Sequence, residues 1–159
     1  MTASNAFPAA PTAGHYVIAE RAGRSFALPF DQVRGGLLRP ELEPVPLAPA
    51  GWLGVLVLRG EIVPVLQPDA LLGVTSAREE PGTLVVFQAG DALVALAFDR
   101  VRGVVPLPAE RCRGYADAAH LPWLGPSYSD ERYAGLVLVD GPAFGAALHA
   151  RFEVAGVPA

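Results

Sequence analysis

The sequence contains no lysine, because all twelve of its basic residues are arginines. Without a lysine amine the chain cannot form a Schiff base with a carbonyl substrate, and it cannot hold phosphate with a P-loop lysine. Its single cysteine, Cys112, excludes an internal disulfide and a metal site built from several cysteines. These absences remove several common classes of enzyme and metal-binding protein.

Long apolar runs and a basic excess are also missing. The longest apolar runs, Trp52–Leu58 and Ala92–Phe98, are far shorter than the ~20 residues that a membrane-spanning helix needs. Residues 1–13 have no basic residue and no apolar core, so we expect a flexible N-terminal tail and not a signal peptide. The expectation is a cytoplasmic protein without direct membrane insertion. The net charge of −4 argues against nucleic acid, which binds to basic surfaces.

What the chain does have is apolar sequence interrupted by turn formers. Hydrophobic residues make up 52% of its 159 residues, with 16 prolines and 17 glycines. A chain of this length buries roughly 70% of its unfolded surface, so it can fold without a metal or a disulfide. The frequent helix breakers favour short strands over long helices. The composition therefore predicts an all-β sandwich or small barrels.

Eight short segments rich in β-branched and aromatic residues are predicted as strands. They are His15–Glu20, Ser25–Phe30, Trp52–Leu58, Glu61–Leu66, Thr83–Gln88, Ala92–Phe98, Arg102–Leu107 and Tyr133–Asp140. Turns are predicted at Ala22–Gly23, Arg59–Gly60 and Ala89–Gly90. A helical turn is predicted over Pro68–Leu72, and Asp140 is predicted to cap a short helix that runs to His149.

The chain contains an internal repeat at an offset of 68 positions. Phe26–Pro40 and Val94–Pro108 share eight of fifteen residues without a gap. The unit of strand, turn, strand, Asp-x-Val-Arg-Gly and strand therefore occurs twice. This predicts two similar small β units, with a single closed barrel of eight strands as the alternative.

The repeated Asp-x-Val-Arg-Gly element is predicted to be structural. In each copy the aspartate is expected to cap the following turn, the valine to point inward, and the arginine to pair with the aspartate. The residues concerned are Asp31, Val33, Arg34, Asp99, Val101 and Arg102.

The most distinctive stretch, Pro49–Leu66, is predicted to be a β-hairpin with Arg59 and Gly60 at its tip. Gly60 would supply the positive φ that such a turn needs. Gly54, inside the first strand, predicts a bulge or the close approach of another backbone. Arg59 is either a binding residue held out at the tip or an ordinary solvated turn residue.

Motifs that carry chemistry are missing from the sequence. The three histidines have no acid or second histidine at ligand spacing, so no metal site is expected. There is no Gly-x-Ser-x-Gly, no Gly-x-Gly-x-x-Gly and no convergent polar cluster. The sequence therefore predicts a protein that is not an enzyme.

The hairpin, in combination with the repeat, resembles the CheW-like domain of bacterial chemotaxis. That family has a glycine, an apolar stretch containing an asparagine, Leu-Arg-Gly, Ile-Val-Pro-Val and then Leu-Gly. This chain has, in the same order, Gly54, Leu58–Gly60, Ile62–Val65 and Leu72–Gly73. The resemblance extends over nearly the whole chain, from about His15 to Leu148.

The resemblance implies an all-β fold of two five-stranded, SH3-like barrels that are related by a pseudo-twofold axis and share a core. It places a single domain of two interleaved barrels at residues 14–150, with a C-terminal tail at 151–159. It implies a non-catalytic adaptor without a cofactor. The expected partners are the cytoplasmic tip of a chemoreceptor and the regulatory domain of a CheA-type histidine kinase, at membrane-associated receptor arrays.

The resemblance also implies receptor-facing residues: Val33, Gly54, Arg59 and Gly60. Gly35, Val57 and Pro68 depart from the family pattern, where an acid, an asparagine and a leucine are usual. These departures leave open a divergent scaffold for another signalling complex, such as one for pilus-driven motility.

A third alternative is a small ligand-binding β-barrel, which would need a deep cavity near Cys112, Asp117 and His120. The segment Ala109–Arg132 is long for a loop. It is expected to cover a core or to offer a binding surface.

Overall fold

The computed structural model describes residues 14–38, 41–76, 82–108, 112–115, 121–128 and 135–152. These residues form eleven strands, two α-helices and a 3₁₀ turn at Phe30–Gln32. The strands are β1 (Gly14–Arg21), β2 (Arg24–Pro29), β3 (Val33–Leu38), β4 (Trp52–Leu58), β5 (Glu61–Leu66), β6 (Thr83–Ala89), β7 (Ala92–Phe98), β8 (Arg100–Leu107), β9 (Cys112–Tyr115), β10 (Leu124–Tyr128) and β11 (Leu136–Val139). The helices are α1 (Asp69–Leu72) and α2 (Gly141–Phe152).

The eight predicted strands are confirmed in place, with shifts of a few residues at their ends, although the first two residues of the predicted Tyr133–Asp140 lie outside the described residues. Three strands, β3, β9 and β10, are missing from the pattern-based prediction, although the repeat required a strand at β3. Each contains a glycine or a proline that weakens the strand signal. The third predicted turn was displaced by one residue, because Ala89 pairs with Ala92 and leaves Gly90–Asp91 as the loop.

The strands form two sheets, so the alternative of one closed eight-stranded barrel is wrong. The first sheet has the order β8-β1-β2-β11-β10-β9, and the second has the order β3-β6-β7-β5-β4. Each sheet combines a hairpin from one half of the chain with strands from the other half. β3 leaves the β1–β2 hairpin to pair with β6, and β8 leaves the β6–β7 hairpin to pair with β1. The two halves are therefore interleaved.

The strand register repeats at the same offset as the sequence. Val33 pairs with Phe87, and Val101 pairs with Ala19, so both partners are displaced by 68 positions. Each pairing then skips one residue, Arg34 in β3 and Arg102 in β8, before it resumes at a glycine. The Asp-x-Val-Arg-Gly element is thus a β-bulge that occurs twice and turns each strand towards the opposite sheet.

Side chains on opposite faces of the central strands fill three separate cores. In β2, Phe26 and Leu28 face a core shared by both sheets, while Ala27 faces the interior of the first sheet. In β7, Leu96 faces the shared core and Ala95 faces the interior of the second sheet. Strands buried on both faces need near-continuous apolar sequence, which explains the runs in β2 and β7.

Helix α2 packs on β6 through small residues. Gly145 lies against Ala89, where an added Cβ would be 3.3 Å from the Ala89 Cα. Phe144 meets Phe87 edge to face, with ring centroids 5.6 Å apart. The helix continues to Phe152, whose side chain is buried in the shared core, so the folded part extends two residues beyond the expected domain end at 150.

Each tryptophan bonds to the opposite half of the chain. The Trp52 indole N–H donates to the carbonyl of Phe152 at 3.2 Å, and the Trp123 indole N–H donates to the carbonyl of Leu71 at 2.6 Å. Trp123 lies half-buried against the shared core. Of the two roles expected for the segment 109–132, covering a core or offering a binding surface, Trp123 takes the first.

A buried ion network joins the two halves. The Arg21 guanidinium is 2% exposed and lies 2.7 Å from Asp69 Oδ1 and 3.2 Å from Asp99 Oδ1. The backbone N–H of Ala22 donates to Asp99 Oδ2 at 2.9 Å. Asp69 begins α1 in the first half, and Asp99 follows β7 in the second half.

The predicted pairing within the Asp-x-Val-Arg-Gly element was wrong. Asp99 bonds to Arg21 and Ala22, so Arg102 pairs instead with Glu20, at 2.8 Å. Arg34 donates to the backbone carbonyl of Asp31, at 2.5 Å, and not to its carboxylate. Neither arginine therefore pairs with the carboxylate of the aspartate in its own copy. The inward direction of the two valines is confirmed, since both pack against the shared core.

Candidate functional site

The β4–β5 hairpin ends in a two-residue turn, and both of its residues have positive φ values. Arg59 has a φ of 52° and Gly60 a φ of 83°, and the last paired residues are Leu58 and Glu61. Two successive positive φ values are typical of a type I′ turn, which matches the twist of the flanking strands. The turn holds the Arg59 side chain exposed at the tip of the hairpin.

Beside this turn two apolar side chains point into solvent. Val57 and Ile62 are directly paired across the hairpin and are 65% and 67% exposed. Their neighbours Leu56 and Val63 face inward and belong to the core of the second sheet. Alternation along the strands therefore leaves one apolar pair uncovered at the tip, with Arg59 next to it. We call Val57, Arg59, Gly60 and Ile62 the hairpin tip.

Gly54 contributes shape to β4 and no exposed side chain. It is buried, it has a φ of 151°, and it follows a register shift that marks a bulge at Leu53. An added Cβ would lie 2.8 Å from the Glu43 carbonyl oxygen. Glu43 pairs with Val55 through two backbone hydrogen bonds of 2.8 and 2.9 Å. The bulge and the close backbone approach predicted for this glycine are both confirmed.

Val33 lies far from the hairpin tip in the strand order of the second sheet. It begins β3, at the opposite end of the second sheet from β4. Its side chain is half-buried and packs against the shared core. Of the four residues expected to face a receptor, the structure brings together Arg59 and Gly60. The structure adds the exposed pair of Val57 and Ile62 to this site. In the sequence, the apolar flanks of the hairpin indicated this pair.

Comparison with known proteins identifies the family. A model of the CheW-like domain matches residues 15–132, which is most of the chain. The chain belongs to the CheW-like domain family. The match includes the hairpin tip and both copies of the repeat, and it ends before β11 and α2.

A curated relative and a solved structure agree with this placement of the CheW-like chain. The chemotaxis protein CheW of Thermotoga maritima is 28% identical over 82 residues, which are 52% of this chain and 54% of the relative. The chain thus spans about half the length of that relative in the alignment. The crystal structure of the scaffolding protein TtCheW from Thermoanaerobacter tengcongensis has a TM-score of 0.68 at 15% identity, covering 82% of this chain and 91% of that one. The fold is that of two SH3-like barrels, as expected.

Two shallow clefts of the CheW-like chain lie away from the hairpin tip. One, of about 350 Å³, lies between α1 and the end of α2, and the other, of about 410 Å³, lies beside the 3₁₀ turn and His149. The cavity that a ligand-binding barrel would need involves Asp117, His120 and the Cys112 side chain, which are outside the described residues.

Within the described ranges no three His, Cys, Asp or Glu side chains gather as metal ligands would. In the same ranges, neither helix has the length and apolarity to cross a membrane. The expected N-terminal tail at 1–13 lies outside the described residues, and of the expected C-terminal tail at 151–159 only Arg151 and Phe152 are described, as the end of α2.

Proposed function

We propose that this CheW-like chain is a non-catalytic adaptor that couples the cytoplasmic tips of chemoreceptors to a CheA-type histidine kinase. The observation that carries the proposal is the exposed apolar pair of Val57 and Ile62 beside Arg59. Family membership and the similarity to a scaffolding protein of the same fold support it.

The chemistry of the hairpin tip suits a protein partner. An apolar pair that loses water on binding gives non-directional affinity, and an adjacent arginine adds bonds to a carboxylate or carbonyl. The turn fixes the backbone of Arg59 before binding, so little backbone entropy is lost when a partner docks. A few such anchors usually dominate the binding energy of an interface.

Val33 and Gly54 have supporting parts in this proposal. Gly54 lets the backbone at Glu43 approach β4, which fixes the strand that presents the tip. Val33 is half-buried, so only part of its side chain is accessible to a receptor.

The test is titration calorimetry of the chain with a chemoreceptor cytoplasmic fragment and, separately, with the kinase regulatory domain. We expect Arg59→Glu and Ile62→Asp each to weaken receptor binding by about tenfold or more, because each removes an anchor of the interface. Arg151→Glu is the charge-matched control, since Arg151 is exposed on α2. Unchanged receptor affinity in both hairpin variants would exclude the tip as the receptor surface.

A second candidate is a divergent scaffold in another pathway, such as pilus-driven motility. The supporting observation is Val57, which stands where the family motif has asparagine and is 65% exposed, so the tip is more apolar than the pattern predicts. Gly35→Glu restores the missing acid where an added Cβ meets no atom within 4 Å, and Gly35→Gln is the control for the strain that a φ of 158° places on any side chain. A gain in receptor affinity favours the chemotaxis adaptor, and no gain favours the divergent scaffold.

The proposed location is the cytoplasm, with recruitment to receptor arrays. A fluorescent fusion should form clusters at the membrane in cells that contain receptors. In cells without receptors it should be diffuse.

A further inference from the structure

Two buried polar atoms beside the 3₁₀ turn have no hydrogen-bond partner among the described residues. They are Gln32 Oε1 and His149 Nδ1. Gln32 is 8% exposed, and its Nε2 donates to the Gln88 carbonyl at 3.2 Å, while its Oε1 occupies the space that a Cβ at Gly141 would need. Most buried polar side-chain atoms in folded proteins are paired, so two unpaired atoms on neighbouring elements call for an explanation.

Both of these atoms are hydrogen-bond acceptors. The Ala89 carbonyl can only accept, so the His149 Nε2 that lies 2.7 Å from it carries a proton. In the neutral imidazole ring Nδ1 is then an acceptor, as the amide oxygen of Gln32 always is. Since no donor neutralises these lone pairs, the negative ends of two side-chain dipoles remain in the wall of the cleft that both residues line.

The same cleft, of about 410 Å³, contains an acid whose carboxylate is unpaired. Asp31 lines it with an exposed side chain, and in the part of the chain that the structure describes no group bonds to its carboxylate. Arg34 also lines the cleft, but it donates to the backbone carbonyl of Asp31, at 2.5 Å. Pro142 and Ala146 of α2 add an apolar lining. The cleft therefore offers acceptors and apolar surface.

The internal repeat shows how the equivalent acid is paired in the other copy. Asp99 is the counterpart of Asp31 at the offset of 68, and its carboxylate lies 3.2 Å from the Arg21 guanidinium. The counterpart of Arg21 at the same offset is Ala89. Gly90, which follows Ala89, lines the cleft together with Asp31, so each acid lies beside the hairpin turn of the opposite half. The chain thus supplies a guanidinium to one acid of the repeat and an alanine to the other.

We propose that this cleft binds a guanidinium group, which a partner protein supplies as an arginine side chain. A guanidinium is planar, permanently charged and weakly hydrated, and it has five N–H donors, so it suits a carboxylate with apolar surface beside it. Asp31 forms the ion pair, and the unneutralised dipoles of Gln32 and His149 favour a cation in the same place. The proposal goes beyond the proposed function, because it does not depend on which protein binds the hairpin tip.

The test is an NMR titration of the isotope-labelled full chain with Nα-acetyl-arginine N-methylamide. Nα-acetyl-citrulline N-methylamide is the matched probe, because citrulline has nearly the same shape as arginine and carries no charge. We expect saturable shifts of the Gly90 backbone amide and of the Gln32 side-chain amide with the arginine probe. The citrulline probe should bind about threefold more weakly, or less tightly still, because it forms no ion pair.

Two substitutions that change charge should have opposite effects on the arginine probe. Asp31→Asn should weaken its binding by about threefold or more, because the ion pair is lost. Arg34→Gln should strengthen binding, because it removes a like charge from the cleft. Both side chains are exposed, so neither change threatens the fold. Glu41→Gln is the control and should leave the affinity unchanged, since Glu41 is an exposed acid that does not line the cleft.

Four results would overturn the proposal. The first is the absence of saturable shifts with the arginine probe, and the second is equal binding of the arginine and citrulline probes. The third is an affinity of Asp31→Asn equal to that of the wild-type chain. The fourth is tighter binding of free arginine than of the capped probe, because a free ammonium and carboxylate belong to a metabolite and not to a side chain of a protein.

Discussion

At the scale of single residues, Arg59 is expected to have opposite effects on stability and on binding, because its backbone conformation is strained. Its φ of 52° is unfavourable for any side chain that has a Cβ. A glycine at this position would fold with less strain, yet the chain has an arginine there. A strained residue on an exposed turn marks a candidate functional site.

Arg59→Gly should therefore stabilise the fold and weaken receptor binding. We expect the free energy of unfolding to rise by about 0.5 kcal/mol, since the relief of strain exceeds the greater flexibility of glycine in the unfolded chain. Urea denaturation measures the change, with Arg59→Ala as the control that keeps the strain and loses the guanidinium. Equal stability of the two variants would show that the turn is not strained.

At the scale of elements, helix α2 begins at a capped and partly buried acid. The Asp140 carboxylate accepts a bond from the Ala143 N–H at 3.2 Å, and the Asp140 carbonyl accepts one from the Phe144 N–H at 2.8 Å. Burial raises the pKa of Asp140 above its ordinary value, and the bond from Ala143 only partly offsets this effect. The cap predicted at this residue from the sequence is confirmed.

This raised pKa has a consequence for stability. The folded chain holds the Asp140 proton more tightly than the unfolded chain. The contribution of protonated Asp140 to the free energy of unfolding is therefore fully present below the pKa that Asp140 has in the unfolded chain. It is lost as the pH rises through the folded pKa. Asparagine caps a helix about as well as aspartate but does not ionise. The stability of Asp140→Asn relative to wild type should therefore increase from about pH 3 to about pH 7. Urea denaturation at several pH values tests this, and a constant difference would contradict it.

At the scale of the whole molecule, a few long-range contacts hold the interleaved halves together. The network of Arg21, Asp69 and Asp99 joins a strand end of one half to the other half, and each tryptophan bonds across the same boundary. Removing a buried cation of this kind is costly, because the carboxylates of Asp69 and Asp99 would lose the positive charge between them and keep only neutral hydrogen-bond donors.

Arg21→Met should destabilise the fold by about 3 kcal/mol, because it removes the buried cation and leaves Asp69 beside Asp99. Arg100→Met is the matched control, since Arg100 pairs with Glu20 at 3.3 Å and is 62% exposed. Its loss should stay within about 0.5 kcal/mol, as for other surface pairs. Denaturant midpoints measure both variants, and similar losses would show that the buried network is no more important than a surface pair.

The sequence by itself determined the local features of this protein. Neighbouring residues predict the strand alternation, the glycine turns and the cap at Asp140, because face alternation and turn conformation depend on local chemistry. Comparison of the two halves of the sequence gives the repeat. The same local signals marked Arg59 and Gly60, and the family resemblance was carried by the motif around them.

Only the tertiary structure decided which distant groups meet. The exchange of β3 and β8 between the sheets, the partners of Arg21 and Arg102, and the exposure of Val57, Ile62 and Leu47 depend on contacts far apart in the chain. An apolar residue in a strand looks the same in sequence whether a neighbouring strand covers it or not. The position of each strand within its sheet decides which apolar side chains become core and which remain as surface for a partner.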